Sequence, residues 1–126
     1  MKTLIELNEV LQSPQRIVIT HHYNPDADAL GSTLGLLHYL TQKGHSCTVI
    51  SPNSIPEFIL WMPSSASVLI YEDQVSESEK LIQQADILFS LDYNQYSRTH
   101  SMTKVLTEYK GITVMIDHHL FPDTNF

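Results

Sequence analysis

Cysteine, basic charge and long apolar runs are all scarce in this chain, and each scarcity removes a class of protein. One cysteine, Cys47, in 126 residues leaves no internal disulfide to form and fits a reducing compartment. Seven lysines and arginines stand against fourteen acids, a formal charge of -7. Long nucleic acid is usually gripped by a basic stripe, and that footprint is missing. Short or mononucleotide substrates stay open, because bound divalent cations add positive charge that a residue count omits. No stretch approaches the roughly 18 to 20 apolar residues of a bilayer span, so no membrane contact is expected. The N-terminal run Met1-Lys2-Thr3-Leu4-Ile5-Glu6-Leu7-Asn8-Glu9 puts two acids where a secretory signal is apolar. These features read as a cytoplasmic protein. No repeat, low-complexity tract or linker interrupts the chain, whose length suits one domain with a real core.

What is present is an alternation of helical and extended periodicity. Leu4, Ile5, Leu7, Val10 and Leu11 predict a helix, closed by Ser13-Pro14. Residues 16–21 predict a buried strand. Asn24-Pro25-Asp26 is turn chemistry, and Asp28 is expected to cap a helix from about Ala29 to Lys43, ended by Gly44. Leu30, Leu34, Leu37 and Leu40 form its core face, with Gly31 and Gly35 allowing a close backbone approach. Further strands are expected at 46–51, 68–71, 87–92 and 112–117. A short helix fits between Ile55 and Met62. A longer one runs from Ser76 to Ala85, with a capping box of Ser76 and Glu79, and another from about Met102 to Tyr109. Strands alternating with helices predict an α/β fold, a three-layer domain whose mainly parallel sheet is flanked by helices.

Ligands in such sheets bind beyond the carboxyl ends of the strands. Three predicted strands end in His21-His22, Asp92 and Asp117-His118-His119, so these polar clusters converge on one edge. A mixed set of carboxylates and imidazoles suits manganese, magnesium or a similar divalent ion, and the lack of cysteine ligands argues against structural zinc. Taken alone, Asp92 is an ordinary strand-end acid. Its order among the motifs raises it to a candidate bridge between two ions. His21 reads as structural, His38, His45 and His100 as surface or helix-end residues, and Cys47 as a small core residue.

The strings His22-x-Asn24-Pro25-Asp26-x-Asp28-Ala29-Leu30-Gly31-Ser32, strand-terminal Asp92 and Asp117-His118-His119 resemble the DHH phosphoesterase superfamily. Within it, the chain looks most like the branch of nano-RNases that are also 3'-phosphoadenosine-5'-phosphate phosphatases. The resemblance implies two Mn2+ ions, with Mg2+ or Co2+ as substitutes. His22 and Asp26 would hold one, Asp28 and His118 the other, and Asp92 would bridge them. It implies hydrolysis by a metal-held hydroxide, with Asp92, His118 and His119 as the catalytic set. His119 would face the substrate phosphate or the leaving group, Arg98 would contact phosphate or lock the loop, and Asp117 and Asn24 would support the ligands. Short RNA or a nucleotide is the implied substrate, and a homodimer the implied assembly.

Two departures stand out. Ala27 occupies a place where the family commonly has glycine. The fourth motif, with another metal-binding aspartate, and the C-terminal DHHA1 substrate clamp have no counterpart here, since only Phe121-Pro122-Asp123-Thr124-Asn125-Phe126 follows Leu120. Residues 1–126 are therefore expected to be the N-terminal part of a DHH domain. A soluble cyclic-dinucleotide phosphodiesterase and a non-catalytic metal- or nucleotide-binding fragment are the competing readings. A family II pyrophosphatase is disfavoured by the helix preceding the first motif, and RecJ-type action on long DNA by acidity and size.

Overall fold

Apolar residues at alternate positions of each strand need cover on both faces of the sheet, and the helices supply it. The structure, a computed structural model, describes residues 2–123. Thr124, Asn125 and Phe126, named above, lie outside that range. Helix α1 (Leu4–Val10) precedes strand β1 (Arg16–Thr20), helix α2 (Ala27–Gln42) and strand β2 (Ser46–Ser51). Short 3-10 turns at Glu57–Ile59 and Ser65–Ser67 lead to strand β3 (Leu69–Ile70). Helix α3 (Val75–Gln84), strand β4 (Ile87–Leu91), a 3-10 segment Tyr96–Met102, helix α4 (Thr103–Glu108) and strand β5 (Ile112–Ile116) complete the order. The expected α/β architecture is therefore present, with its boundaries shifted by a few residues.

All paired strands are parallel, in the order β3-β2-β1-β4-β5. The chain builds outward from β1 through β2 to β3, then returns to the other side of β1 for β4 and β5. The direction of crossing reverses between β1 and β4, which makes their carboxyl ends the switch point where such sheets bind ligands. Side-chain alternation divides the core in two. Ile17, Ile19, Ile87, Phe89 and Leu91 pack against Leu30, Leu34, Leu37 and Leu40 of α2. Val18 and Leu88 face Ile82 of α3 and Val105 and Leu106 of α4. Each fully buried leucine or isoleucine stabilises the fold by about 1.5–3 kcal/mol.

Several local expectations are corrected. Asp26, not Asp28, caps α2: its Oδ1 accepts from the Ala29 N–H at 2.9 Å, and Asp28 falls in the first turn. At the other end Gly44 adopts φ +95, and His45 N–H reaches the Leu40 carbonyl while Gly44 N–H reaches that of Thr41. That left-handed closure is the helix ending glycine permits. The Ser76–Glu79 capping box does not form: α3 begins at Val75 after Gln74, and the Glu79 carboxylate instead accepts from the Tyr71 hydroxyl. A real capping box closes α1, between Thr3 and Glu6. Leu4 and Ile5 of that helix are exposed, leaving Leu7, Val10 and Leu11 to meet the core. His45 is buried, its Nδ1 accepting from the Gln15 N–H, and Cys47 is only half-buried.

The start of β1 is pinned by Asp86, which precedes β4. Its carboxylate accepts from the Arg16 N–H at 2.7 Å and from the guanidinium at 3.1 and 3.3 Å. Those side-chain and backbone hydrogen bonds from Arg16 hold the Asp86 carboxyl below its ordinary value. A depressed acid adds stability that is present above the unfolded value of 3.8 and lost as pH falls through the folded one. Asp86→Asn is thus expected to lower Tm at pH 7 by about 3 °C, the scale of a partly exposed pair. Thermal melts should converge with wild type only as pH falls well below 3.8, through the lowered folded value; a gap that persists in stronger acid would assign the loss to packing.

Candidate metal centre

The polar strand ends gather beyond the carboxyl ends of β1, β4 and β5. β1 runs into His21 and His22, both buried, and the turn Tyr23-Asn24-Pro25-Asp26 leads directly into α2. Asn24 takes φ +54, a left-handed conformation that asparagine tolerates better than most residues. The His22 Nδ1 lies 2.8 Å from the Tyr23 carbonyl oxygen. A carbonyl only accepts, so Nδ1 carries the proton of that bond. In the neutral ring Nε2 then presents a lone pair toward the centre. It stands 3.8 Å from Asp26 Oδ1 and 3.4 Å from Asp92 Oδ2.

Asp92 follows β4 and also has a left-handed φ, +63. Its N–H donates to the Ile116 carbonyl, which ties it to β5. The next residue, Tyr93, is fully buried, and its hydroxyl bonds to Thr20 Oγ1 at 2.7 Å and Ser90 Oγ at 2.9 Å. Burial pushes the Tyr93 phenol upward, so it stays a neutral anchor. Sequence reading passed over Tyr93, although a tyrosine directly after a strand-end acid is the available signal. The Asp92 side chain is 6% exposed, and its Oδ1 is buried without a hydrogen-bond partner among the described residues. Burial, reinforced by the charge of Asp28, raises its carboxyl above the ordinary value.

That unpartnered oxygen lies 3.3 Å from His118 Nε2, which in turn is 3.7 Å from Asp28 Oδ2. Each Asp92 oxygen therefore faces a different histidine, and each histidine faces a second carboxylate. His22, Asp26 and Asp92 form one group whose ligand atoms converge within 4.8 Å; Asp92, Asp117, His118 and His119 form another. Electron-rich atoms brought this close, one of them a buried carboxylate oxygen, make a pocket that positive charge would stabilise. Divalent cations fit this donor set of imidazoles and carboxylates.

The remaining expected residues divide clearly. Asp117 accepts from both the backbone N–H and the Nδ1 of His119. Burial pushes the Asp117 carboxyl up, but these bonds together outweigh it and hold the carboxyl low. The His119 ring lies against that of His118, centroids 4.4 Å apart. Arg98 is exposed, on the 3-10 segment after β4, and its carbonyl accepts from the Tyr23 N–H at 2.8 Å. Two asparagines were missed by sequence reading. Asn94 donates from Nδ2 to the carbonyls of His119 and Leu120, holding the Asp117–His119 loop. Asn53 pairs with Asn24 through two hydrogen bonds of 2.8 Å.

A Cβ placed on Gly31 or Gly35 would meet no atom within 4 Å, so the expected close approach is not made among the described residues. Both glycines border an apolar groove of about 540 Å3, with Leu36, Leu91 and Ile116, beside Asp28, Asp92 and His118. A larger groove of about 960 Å3 lies between α1 and the open edge of β5, and no ligand candidate borders it.

Fold and centre together define an α/β domain with a cation-binding type of site at its topological switch point. The chain belongs to the DHH family: the model of that family's N-terminal domain matches residues 16–126. It is 28% identical over 119 residues to the bifunctional oligoribonuclease and PAP phosphatase NrnA of Thermus thermophilus, covering 94% of this chain and 32% of that protein. The crystal structure of an exopolyphosphatase-related protein from Bacteroides fragilis superposes with a TM-score of 0.93 at 37% identity, covering 96% of this chain and 36% of that one. The chain thus spans about a third of the length of both relatives. No helix among the described residues is long and apolar enough to cross a membrane.

Proposed function

We propose that this chain supplies the two-metal centre of a phosphoester hydrolase acting on short oligoribonucleotides or 3'-phosphoadenosine 5'-phosphate. His22 and Asp26 would hold one Mn2+, Asp28 and His118 the other, with Asp92 available to both. The observation that carries this reading is the placement of the two Asp92 oxygens, 3.4 Å from His22 and 3.3 Å from His118. Two cations bound there would neutralise a phosphate and lower the pKa of water.

The chain's own residues supply the rest. The Asp117 carboxylate accepts a hydrogen bond from His119 Nδ1–H, which leaves Nε2 as the nitrogen open to a phosphate oxygen or a leaving group. Asp26 caps α2, so the positive end of a 16-residue helix dipole lies at the centre and favours an anion. Arg98 stands on the segment that touches the His22–Asp26 turn and is assigned to the substrate phosphate. The cellular setting assigned to this activity is the cytoplasm, in keeping with the single cysteine.

The nucleotide substrates rest on the Thermus thermophilus relative; the exopolyphosphatase-related description of the Bacteroides fragilis relative makes inorganic polyphosphate the competing substrate. The test offers the full gene product, with Mn2+, three substrates: a triribonucleotide, 3'-phosphoadenosine 5'-phosphate and polyphosphate. Release of nucleoside monophosphate or of phosphate from the first two is expected. Turnover of polyphosphate alone would replace the nucleotide assignment, and turnover of none would sink the hydrolase reading.

A further inference from the structure

We infer that Asn53 is a positioning residue for the metal centre, acting through Asn24 on the turn that carries His22 and Asp26. The inference rests on the metal reading above and adds to it a residue outside the three motifs. Asn53 follows β2, not the strands that carry the ligands, and is buried at 8% exposure. Its Oδ1 accepts from the Asn24 N–H and its Nδ2 donates to Asn24 Oδ1, both at 2.8 Å. This closed pair of bonds imitates a rung between strands and fixes both the backbone and the side chain of Asn24. Asn53 is itself held, because the buried Ser51 hydroxyl donates to its carbonyl at 2.6 Å.

The location gives the clamp its effect. Asn24 sits between the two ligand candidates, with φ +54. Rotation of that residue toward ordinary backbone angles would swing Asp26 relative to His22. The turn is secured from its other side by the Tyr23 N–H to Arg98 carbonyl bond and by the Tyr23 ring stacked on His100, centroids 4.0 Å apart. Without Asn53 the turn keeps that second support, so the expected defect is misplacement of ligands rather than unfolding. Hydrogen-bonded partners of metal ligands typically change metal affinity by about 10- to 100-fold when removed.

The experiment is carried out on the whole chain with Asn53→Ala, and with Asn53→Asp as the conservative variant. Two readouts are taken: Mn2+ titration by calorimetry, and hydrogen exchange at the Asn24 amide in metal-free protein. Asn53→Ala should weaken the more affected Mn2+ site by about tenfold. Asn24 amide exchange should accelerate in Asn53→Ala while the melting curve stays cooperative. Asn53→Asp keeps the acceptor for the Asn24 N–H but loses the donor to Asn24 Oδ1, and should fall between wild type and Asn53→Ala.

Wild-type Mn2+ affinity in Asn53→Ala would overturn the positioning role and leave the metal centre standing. Equal weakening of both ions together with non-cooperative melting would assign Asn53 to general stability instead. Absence of Mn2+ binding by the wild-type chain would overturn the metal reading, and this role with it.

Discussion

Asp92→Asn is expected to weaken Mn2+ binding by at least about 100-fold and to cut hydrolysis by the full gene product by about 1,000-fold, while making the metal-free chain more stable. The opposite signs follow from one feature. Asp92 is a buried carboxylate with an unpartnered Oδ1, and burial together with Asp28 raises its carboxyl. An acid raised in the folded state opposes folding once pH exceeds its unfolded value of 3.8, because folding must then bury the charge or bind a proton. A neutral amide of the same shape removes that cost. The stability gain should therefore be present at pH 7 and vanish below pH 3.8. Cations reverse the balance, since the charge that destabilises the empty pocket is what they bind. Thermal melts with and without Mn2+ read both effects: wild type should gain far more from the ion than the variant does. A variant that melts lower without metal and still binds two ions would show that Asp92 is a packing residue.

The second large effect is acid sensitivity carried by His21. This ring is fully buried, with Nδ1 3.3 Å from the Thr33 hydroxyl and Nε2 without a partner. Burial, helped by the neighbouring His22 and opposed by Asp26, lowers its pKa from 6.5 to about 3. Between those values the unfolded chain binds a proton that the folded chain refuses. Stability should therefore be full above pH 6.5 and fall as pH drops toward 3. The slope is about 1.4 kcal/mol per pH unit, or about 3 kcal/mol between pH 6.5 and pH 4. His21→Gln keeps a donor for Thr33 but cannot ionise, so its stability curve should be flatter over that window by about that amount. Urea unfolding of the metal-free proteins from pH 4 to pH 7 measures the difference. Parallel curves for the two would show that the ring reaches solvent and takes up its proton without unfolding the chain.

His21 and His22 also illustrate how far local sequence carries. Both were legible as the end of a buried strand, whereas the contacts that set them apart, Thr33 for His21 and Asp92 for His22, come from elsewhere in the fold. The helix starting after the turn was legible too, but its cap was misassigned. Asp26 and Asp28 are both competent cap residues two positions apart, and only the backbone decides which one meets the Ala29 N–H. The Ser76–Glu79 pattern failed for a related reason: Tyr71, from the preceding segment, takes the Glu79 carboxylate. Local capping rules carry no account of such competitors.

The sequence by itself determined the succession of strands and helices, because burial on one or both faces imposes a period that residues a few positions apart reveal. It also determined that three acid–histidine clusters sit at strand ends. Tertiary structure alone decided the strand order β3-β2-β1-β4-β5, which sets β1 beside β4 and so His22 beside Asp92. It decided that the two Asp92 oxygens turn toward histidines from different strands, and that Asn53 reaches 29 positions back to hold Asn24. Register and crossover bring those partners together, and neither leaves a periodic trace in the chain.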